Sequence, residues 1–362
     1  MTPADKKIDI LLHFMISRQR RKPMREPTIS IHFVNAVVRH CRHRPGDCHR
    51  LLTRNRIAPR LLHEPGARVP ARDYANLIRD TMVLLRDETL GYGRQPQPLG
   101  TWEMICRSAI GSENLGEAIR RLSRFCRLID WSIAPRTLRS GDRVTVSLEP
   151  RDAGDDFGPY IYESFLFYLH RFANWLIAEE VPLLEVTFAF PEPVYASEYG
   201  AMFLDSPVTF EQPVSSITFG EHYLEKRIRR DQESLNGFLK HPNHTMIVQQ
   251  YDQKSWQYRV RALLASQLAE HPTYADIARQ LHIHPQTLRR RLRNEGVVYR
   301  ELKDRLRRDT AIHLLSNRNM TVEETALATG FSEASSFIRS FSKWTGVTPY
   351  TYQKPLRTTD RR

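Results

Sequence analysis

Residues 282–296 read HIHPQTLRRRLRNEG, and four arginines (Arg289, Arg290, Arg291 and Arg293) fall within five positions. A guanidinium is a permanent cation carrying a planar fork of N–H donors. It can pair bidentately with a phosphate or with the O6/N7 edge of guanine, and a glutamine such as Gln286 can pair with adenine in the same way. Leu288 and Leu292 stand four residues apart among these groups, which is helical spacing. If both leucines point into a core, Gln286, Arg289, Arg290 and Arg293 point away from it and Arg291 lies nearer the flank. A solvated basic face is the ordinary reading of one such charge run.

The distribution of charge favours a stronger reading. The chain has 362 residues and a net charge of +13. Residues 256–362 hold 19 Lys+Arg against 10 Asp+Glu, residues 1–28 hold 7 against 3, and the remainder hold 28 of each. A neutral body with a basic C-terminal module implies a polyanionic partner for that module alone. The length allows two or more domains, and 41% hydrophobic with 26% charged residues is a globular composition. No run of 18 or more residues is apolar, so no membrane partner is expected. Cys41, Cys48, Cys106 and Cys126 do not form the framework of a small secreted protein. The apolar stretch DILLHFMIS is followed by SRQRRK where a signal peptide needs small residues, so a cytoplasmic location is expected.

The elements that must position the arginines come as a repeat. Thr273-Tyr-Ala-Asp276 aligns with Thr321-Val-Glu-Glu324, Ala278 with Ala326, His282-Ile283 with Gly330-Phe331, and Leu292 with Phe341. Each Thr with a carboxylate three residues on is a capping box that opens a helix. The small alanines suit a close helix crossing. Gly330 suits a turn at positive φ, which His282 tolerates less comfortably. Ile277, Leu281, Ile283, Leu288 and Leu292 form the apolar side of copy one, and Val322, Phe331, Phe337 and Phe341 that of copy two. Two helix-turn-helix units with confined positive charge point to double-stranded DNA.

Residues 256–352 resemble the DNA-binding region of AraC/XylS bacterial transcription regulators. The resemblance rests on the tandem repeat, on a joining helix at about Tyr299 to Ser316, and above all on GFSEASSFIRSFSKWTGVTPYTYQ from Gly330 to Gln353. It implies that both second helices enter successive major grooves on one DNA face. By position, Gln286, Arg289 and Arg290 would reach base edges from copy one. Copy two offers Ala334, Ser335, Ile338 and Arg339, of which Ser335 and Arg339 are the base-edge candidates. Thr287, Arg291, Arg293, Ser332 and Ser336 are candidates for phosphate or flanking contacts. Copy two is poorer in donors, so most sequence specificity is expected from copy one.

The body, residues 29–240, mixes helices with a few strands, which predicts an α+β domain. VNAVVRHC, YANLIRDTMVLL, TWEMICRSAI and LGEAIRRLSRFCRLI carry helical spacing, with Asn114 opening the last. RVTVSL, PLLEVTFAF and PVTFEQPVSSITF read as strands, the first after the turn Ser140-Gly141-Asp142. PGARVP, the run from Leu99 to Phe125 and FLDSPVTFEQPVSSITF resemble the arabinose-binding-like sensor domain of one AraC/XylS branch. That implies a small-molecule effector and a homodimer. Tyr160, Tyr162, Phe165, Phe167, Tyr168, Phe172 and Trp175 crowd one helix. Their plain reading is burial on several sides; if some line a pocket, an apolar or amphipathic ligand fits better than a sugar. Residues 241–255 lose their period and read as a linker. Residues 1–28 and 353–362 read as tails.

Catalytic and metal chemistry find little support. There is no Walker loop, GxGxxG, GxSxG or HExxH, and Asp152, Asp155 and Asp156 in RDAGDDFGP read as a solvated turn. His40, Cys41, His43, Cys48 and His49 lie close together, but their spacing fits no common zinc site. The expectation is a non-enzymatic regulator without metal or cofactor: an α+β sensor domain followed by an all-α domain of two helix-turn-helix subdomains joined by a linker helix. Its partners would be DNA, an effector, a second copy and, for an activator, RNA polymerase. The alternatives are a constitutive dimeric repressor or architectural protein, and an enzyme carrying a DNA-binding tail.

Overall fold

Apolar residues at intervals of three and four run through much of residues 31–128, and the chain is largely helical there. The structure, a computed structural model, describes residues 26–129, 132–150, 157–249, 255–317 and 320–353. They form two units, each assembled from separated stretches of chain. One takes 32–55 and 72–249; the other takes 26–31, 56–71 and the described residues from 255 onward. Residues 1–25 and the aspartates at 152, 155 and 156 lie outside the described residues.

In chain order the elements up to residue 248 are β1 (Thr28–Ser30), α1 (Ile31–Val37), α2 (Pro45–Arg54), β2 (Arg68–Pro70), α3 (Ala71–Leu85), α4 (Thr101–Ile110) and α5 (Leu115–Leu128), then β3 (Ile133–Ser140), β4 (Arg143–Pro150), α6 (Pro159–Ile177), β5 (Leu183–Thr187), α7 (Tyr199–Met202), β6 (Val208–Thr209), β7 (Ser215–Gly220), α8 (Gln232–Leu239) and α9 (Pro242–Val248). Helix α5 starts because the Asn114 side chain accepts the Glu117 N–H at 2.9 Å while Glu117 accepts the Glu113 N–H at 2.7 Å. The turn at Gly141, φ +60°, closes the β3–β4 hairpin. On β4, Val144, Val146 and Leu148 are buried in strict alternation. The sheet runs β3-β4-β7-β5-β6, antiparallel except for β5 with β6. Strand β3, the hairpin partner of β4, carries too weak an alternation to read from sequence. Residues 242–248, where the sequence loses its period, form helix α9 with Met246 buried.

Helix α6 answers the question its aromatics raise in two ways. From Leu169 to Ile177 every residue is buried, and Phe172 and Trp175 stack 5.8 Å apart beside Phe238. Its earlier turns carry Tyr160, Phe165 and Tyr168 toward an open space. His170, Asn174 and Glu163, all buried on this helix, each find a hydrogen-bond partner. His170 Nε2 donates to the Val181 carbonyl at 2.8 Å, and Asn174 accepts the Val181 N–H at 3.0 Å. Glu163 accepts hydroxyls from Tyr199 at 2.5 Å and Tyr195 at 2.9 Å.

The other unit continues with α10 (Trp256–Ser266), α11 (Tyr274–Gln280), α12 (Pro285–Asn294), α13 (Tyr299–Asn317), α14 (Val322–Ala328), α15 (Ala334–Thr345) and α16 (Pro349–Gln353). Both capping boxes form: Thr273 with Asp276 opens α11, and Thr321 with Glu324 opens α14. Both turns are left-handed, with φ +54° at His282 and +80° at Gly330. Ile277, Ala278, Leu281, Leu288 and Leu292 join Val260, Leu264, Leu302 and Leu306 in one core. Phe337 and Phe341 are fully buried in the second copy. The architecture is therefore α+β before residue 249 and all-helical after 255, with α13 joining two helix-turn-helix subdomains.

The two-stranded ribbon β1–β2 belongs to this same unit. The Tyr352 hydroxyl donates to the Arg68 carbonyl at 2.9 Å and accepts the Arg68 N–H at 2.8 Å; burial pushes its phenol up to about 12. Thr28 donates to Asp309 on α13 at 2.5 Å. A Cβ on Gly66 would stand 2.8 Å from the Thr345 carbonyl, so backbone meets backbone there.

Two measurements follow from these packing facts. A Cβ at Gly330 would collide with the Leu268 carbonyl oxygen in addition to the strain of positive φ. Gly330→Ala should therefore lower the unfolding free energy by about 2–4 kcal/mol, whereas His282→Gly should raise it by less than about 1 kcal/mol. Urea denaturation of both variants checks the pair. Burial lowers the His170 pKa to about 3 from an ordinary 6.5, so the folded chain refuses a proton that the unfolded chain accepts. The stability held by neutral His170 is complete above about pH 6.5 and declines as pH falls toward 3. Urea midpoints taken across that range in wild type and His170→Gln should differ in their acid-side slope.

Candidate nucleic-acid interface

Helix α12 is placed by its ends. His284 accepts the Gln286 N–H at Nδ1, 3.3 Å, and Pro285 occupies the first turn, where its missing N–H costs nothing. Leu288 and Leu292 are 0% and 2% exposed, which fixes the rotation of the helix about its axis. Gln286, Arg289, Arg290 and Arg293 are consequently exposed, and Thr287 and Arg291 are half-buried. The Arg289 guanidinium lies 5.9 Å from the Tyr274 ring centroid. The side chains of Gln286, Arg290 and Arg293 make no hydrogen bond or ion pair among the described residues.

Arg291 is held differently. Its guanidinium sits 4.1 Å from the centroid of Trp256, and Arg259 sits over the same ring at 4.3 Å. Trp256 is itself anchored, because Glu295, just past the end of α12, accepts the N–H groups of Trp256 and Gln257 at 2.8 Å each. A carboxylate at the start of α10 satisfies free donors and complements the helix dipole. Arg291 therefore stands at the edge of the exposed row as a cation stacked on an aromatic support.

Helix α15 presents a sparser surface. Ser332, Ser335 and Arg339 are exposed, and Ala334, Ser336 and Ile338 are half-buried. The Ser335 hydroxyl donates to Glu333 at 3.3 Å, and Arg339 donates to the Ser336 hydroxyl at 3.3 Å. Of the six candidates from copy one, Gln286, Arg289, Arg290 and Arg293 thus share one exposed helix face with Thr287 and Arg291 half-buried, and Ser335 and Arg339 are exposed one turn apart on α15.

The two faces are related through α13. Lys303 donates to the Pro272 carbonyl at 2.9 Å, just ahead of α11. One turn later, Arg307 donates to the carbonyls of Thr329 at 3.1 Å and Gly330 at 2.8 Å, and its guanidinium lies 4.6 Å from the Phe331 ring centroid. Burial lowers both side-chain pKa values, yet the carbonyls they serve keep the contacts in place. Lys303, Arg307, Trp256 and Glu295 escape sequence reasoning because each acts on backbone or rings distant in the chain. A partial signal exists: two cations four residues apart on a helix whose other face must bridge two subdomains.

Comparison with known proteins matches both the body and the helical region to family models. Residues 46–228 match the arabinose-binding domain of AraC transcription regulator, N-terminal, and residues 277–355 match a helix-turn-helix domain. The chain belongs to the AraC/XylS family of transcription regulators. It is similar to the ornithine utilization regulator of Pseudomonas aeruginosa, 26% identical over 83% of this chain and 88% of that one. It is also similar to the regulator VqsM of the same organism, 24% identical over 71% and 82%, and to VirS of Mycobacterium tuberculosis, 40% identical over 21% and 23%. These relatives are regulators, not enzymes. As an AraC/XylS regulator the protein binds DNA through its helical region and carries a sensor domain of the ligand-binding kind. The sensor match includes residues 56–71, which the fold assigns to the same unit as the DNA-binding helices.

Removing the Arg307 clamp should be costly. Arg307→Ala leaves two carbonyls short of a charged donor and should lower the unfolding free energy by about 2–3 kcal/mol. Arg307→Lys keeps the charge but not the fork, and should recover less than half of that loss. Urea denaturation of the two variants beside wild type gives the comparison.

Proposed function

We propose that this AraC/XylS regulator is an effector-responsive, sequence-specific transcription activator. It seats α12 and α15 in successive major grooves on one face of DNA. The observation that carries this reading is the exposed, unpaired row Gln286, Arg290 and Arg293 opposite the buried Leu288 and Leu292, on a helix joined through α13 to a second helix of the same construction. Gln286, Arg289 and Arg290 are assigned to base edges, with Ser335 and Arg339 contributing from the second copy. Thr287, Arg293, Ser332 and Ser336 are assigned to phosphates, and Arg291 to a flanking phosphate from its Trp256 support.

Effector response is supported by a cavity of about 370 Å³ in the unit that holds residues 72–249, a volume typical of small-molecule sites. A homodimer in which effector binding shifts the arrangement of two DNA-binding modules would link that cavity to operator spacing. Contact with RNA polymerase completes the activating scheme. A constitutive repressor would share the DNA-binding geometry but would show no effector-dependent change in transcription.

The assignment of residues is testable on DNA recovered by selection from a random library with the full chain. Arg290→Ala should cost about 1–3 kcal/mol on the selected site and relax the preference at one base pair. Arg293→Ala should weaken selected and random DNA alike and reduce the slope of log affinity against log salt by about 1. An equal loss on every sequence from Arg290→Ala would assign Arg290 to phosphate instead.

A further inference from the structure

The cavity has a character that narrows its ligand. An open space of about 370 Å³ lies between helices, and most of the surface that lines it is apolar. Its walls come from α3, the loop 88–92, α4, α5 and the first half of α6, with residues 239–244 at one side. Trp102, Tyr160, Phe165 and Tyr168 supply aromatic surface, and Ile105 and Leu122 supply a fully buried aliphatic side. Trp102 is braced edge-on against Phe172 at 5.4 Å, so the wall is continuous with the packed core.

The lining surface is mostly apolar, and several of its polar groups differ in whether they are already satisfied. Glu88 lines the cavity, but its two oxygens accept the Gly100 and Trp102 N–H groups at 2.7 Å each. It is committed to the start of α4 and has no need of a ligand cation. Arg79 is paired with Asp80 at 3.0 Å. The side chains of Asn76 and Tyr168 face the cavity without a hydrogen-bond partner among the described residues. At the rim, Lys240 and His241 are exposed, and their side chains make no hydrogen bond or ion pair among the described residues. Val83 and Leu99, 56% and 49% exposed, are apolar members of the same lining.

We propose that this cavity is the effector site, and that it takes an amphipathic monoanion whose apolar body lies among Trp102, Phe165 and Tyr168 while its carboxylate meets Lys240 and His241 at the rim. Asn76 and the Tyr168 hydroxyl offer polar contacts to the body. Most of a sugar's hydroxyls would face rings and aliphatic carbons, and a basic amino acid would bring a second charge to a wall where Glu88, the one carboxylate in the lining among the described residues, is already occupied. An amphipathic monoanion also differs in charge from ornithine, the compound in the name of the ornithine utilization regulator that shares 26% identity. This inference rests on the reading of the protein as effector-responsive.

The test uses the full chain and five probes: 2-naphthoate, 2-naphthalenemethanol, 2-naphthylmethylamine, L-ornithine and L-arabinose, followed by calorimetric titration and thermal shift. Naphthoate should bind most tightly and raise the melting temperature, the alcohol should bind more weakly, and the other three should not bind. Lys240→Gln should weaken naphthoate on the order of 3–5-fold and leave the alcohol within about 2-fold, as expected for one exposed ion pair. Ser164→Trp, which fills the space from α6, should weaken both by about 10-fold or more. Lys240 lies on the surface, so that variant reports on the site even if Ser164→Trp does not fold. Failure of both naphthoate and the alcohol to bind overturns the assignment. So does stabilisation by ornithine or arabinose that Ser164→Trp leaves untouched, which would keep an effector but move its site. Naphthoate binding that never alters affinity for the selected DNA would support the cavity and overturn effector response.

Discussion

The DNA-binding half of this molecule depends on a few donors from one helix. Arg307 and Lys303 leave α13 in opposite services: the first holds the turn of the second helix-turn-helix, the second holds the chain entering the first. Each bond ends on a backbone carbonyl, so the contact is made to the chain path and not to a side chain that could turn away. Two recognition helices can address one DNA face only if their spacing and rotation are set together. Apolar packing alone is tolerant of small slides, while charged donors on fixed carbonyls are not.

That rigidity extends to residues far away in sequence. The ribbon of β1 and β2 is bound to α16 through the paired hydrogen bonds of Tyr352 and Arg68, and to α13 through Thr28 and Asp309. Gly66 and Thr345 approach so closely that no side chain fits between them. Part of the segment that resembles a sensor domain is thereby built into the DNA-binding unit. The chain crosses between the units at residues 31–32, 55–56 and 71–72 as well as before 255, so a change in one is covalently tied to the other at several points.

Much of the site was legible because it is governed by short-range rules. The pairs Thr273–Asp276 and Thr321–Glu324 announce helix starts through bonds spanning three residues. Leu288 and Leu292 orient α12 because burial of two side chains a turn apart leaves only one rotation available. The positive φ at His282 and Gly330 follows from aligning the repeats. The support of Arg291 by Trp256 and the double cap from Glu295 were not legible, because nothing near either residue names its partner. The helical character of residues 242–248 was likewise hidden, since one buried side chain, Met246, sets no period.

The aromatic helix α6 marks the boundary between the two kinds of knowledge. Its composition determined that it must be covered on several sides, and its length determined that it could span the domain. Whether a ring completes the core or walls a cavity is a matter of what lies opposite. Phe172 and Trp175 meet Phe238, while Tyr160 and Tyr168 meet open space bounded by α3 and α4. By itself the sequence determined the repeat, its caps, the outward row of cations and the α+β body, because each is written in spacings of two to four residues. Only the tertiary structure decided how the two repeats are joined, which carbonyls the linker helix holds and where an apolar void remains. Those outcomes depend on surfaces brought together from positions 20 or more residues apart in the chain, as with Arg307 and Thr329, 22 apart.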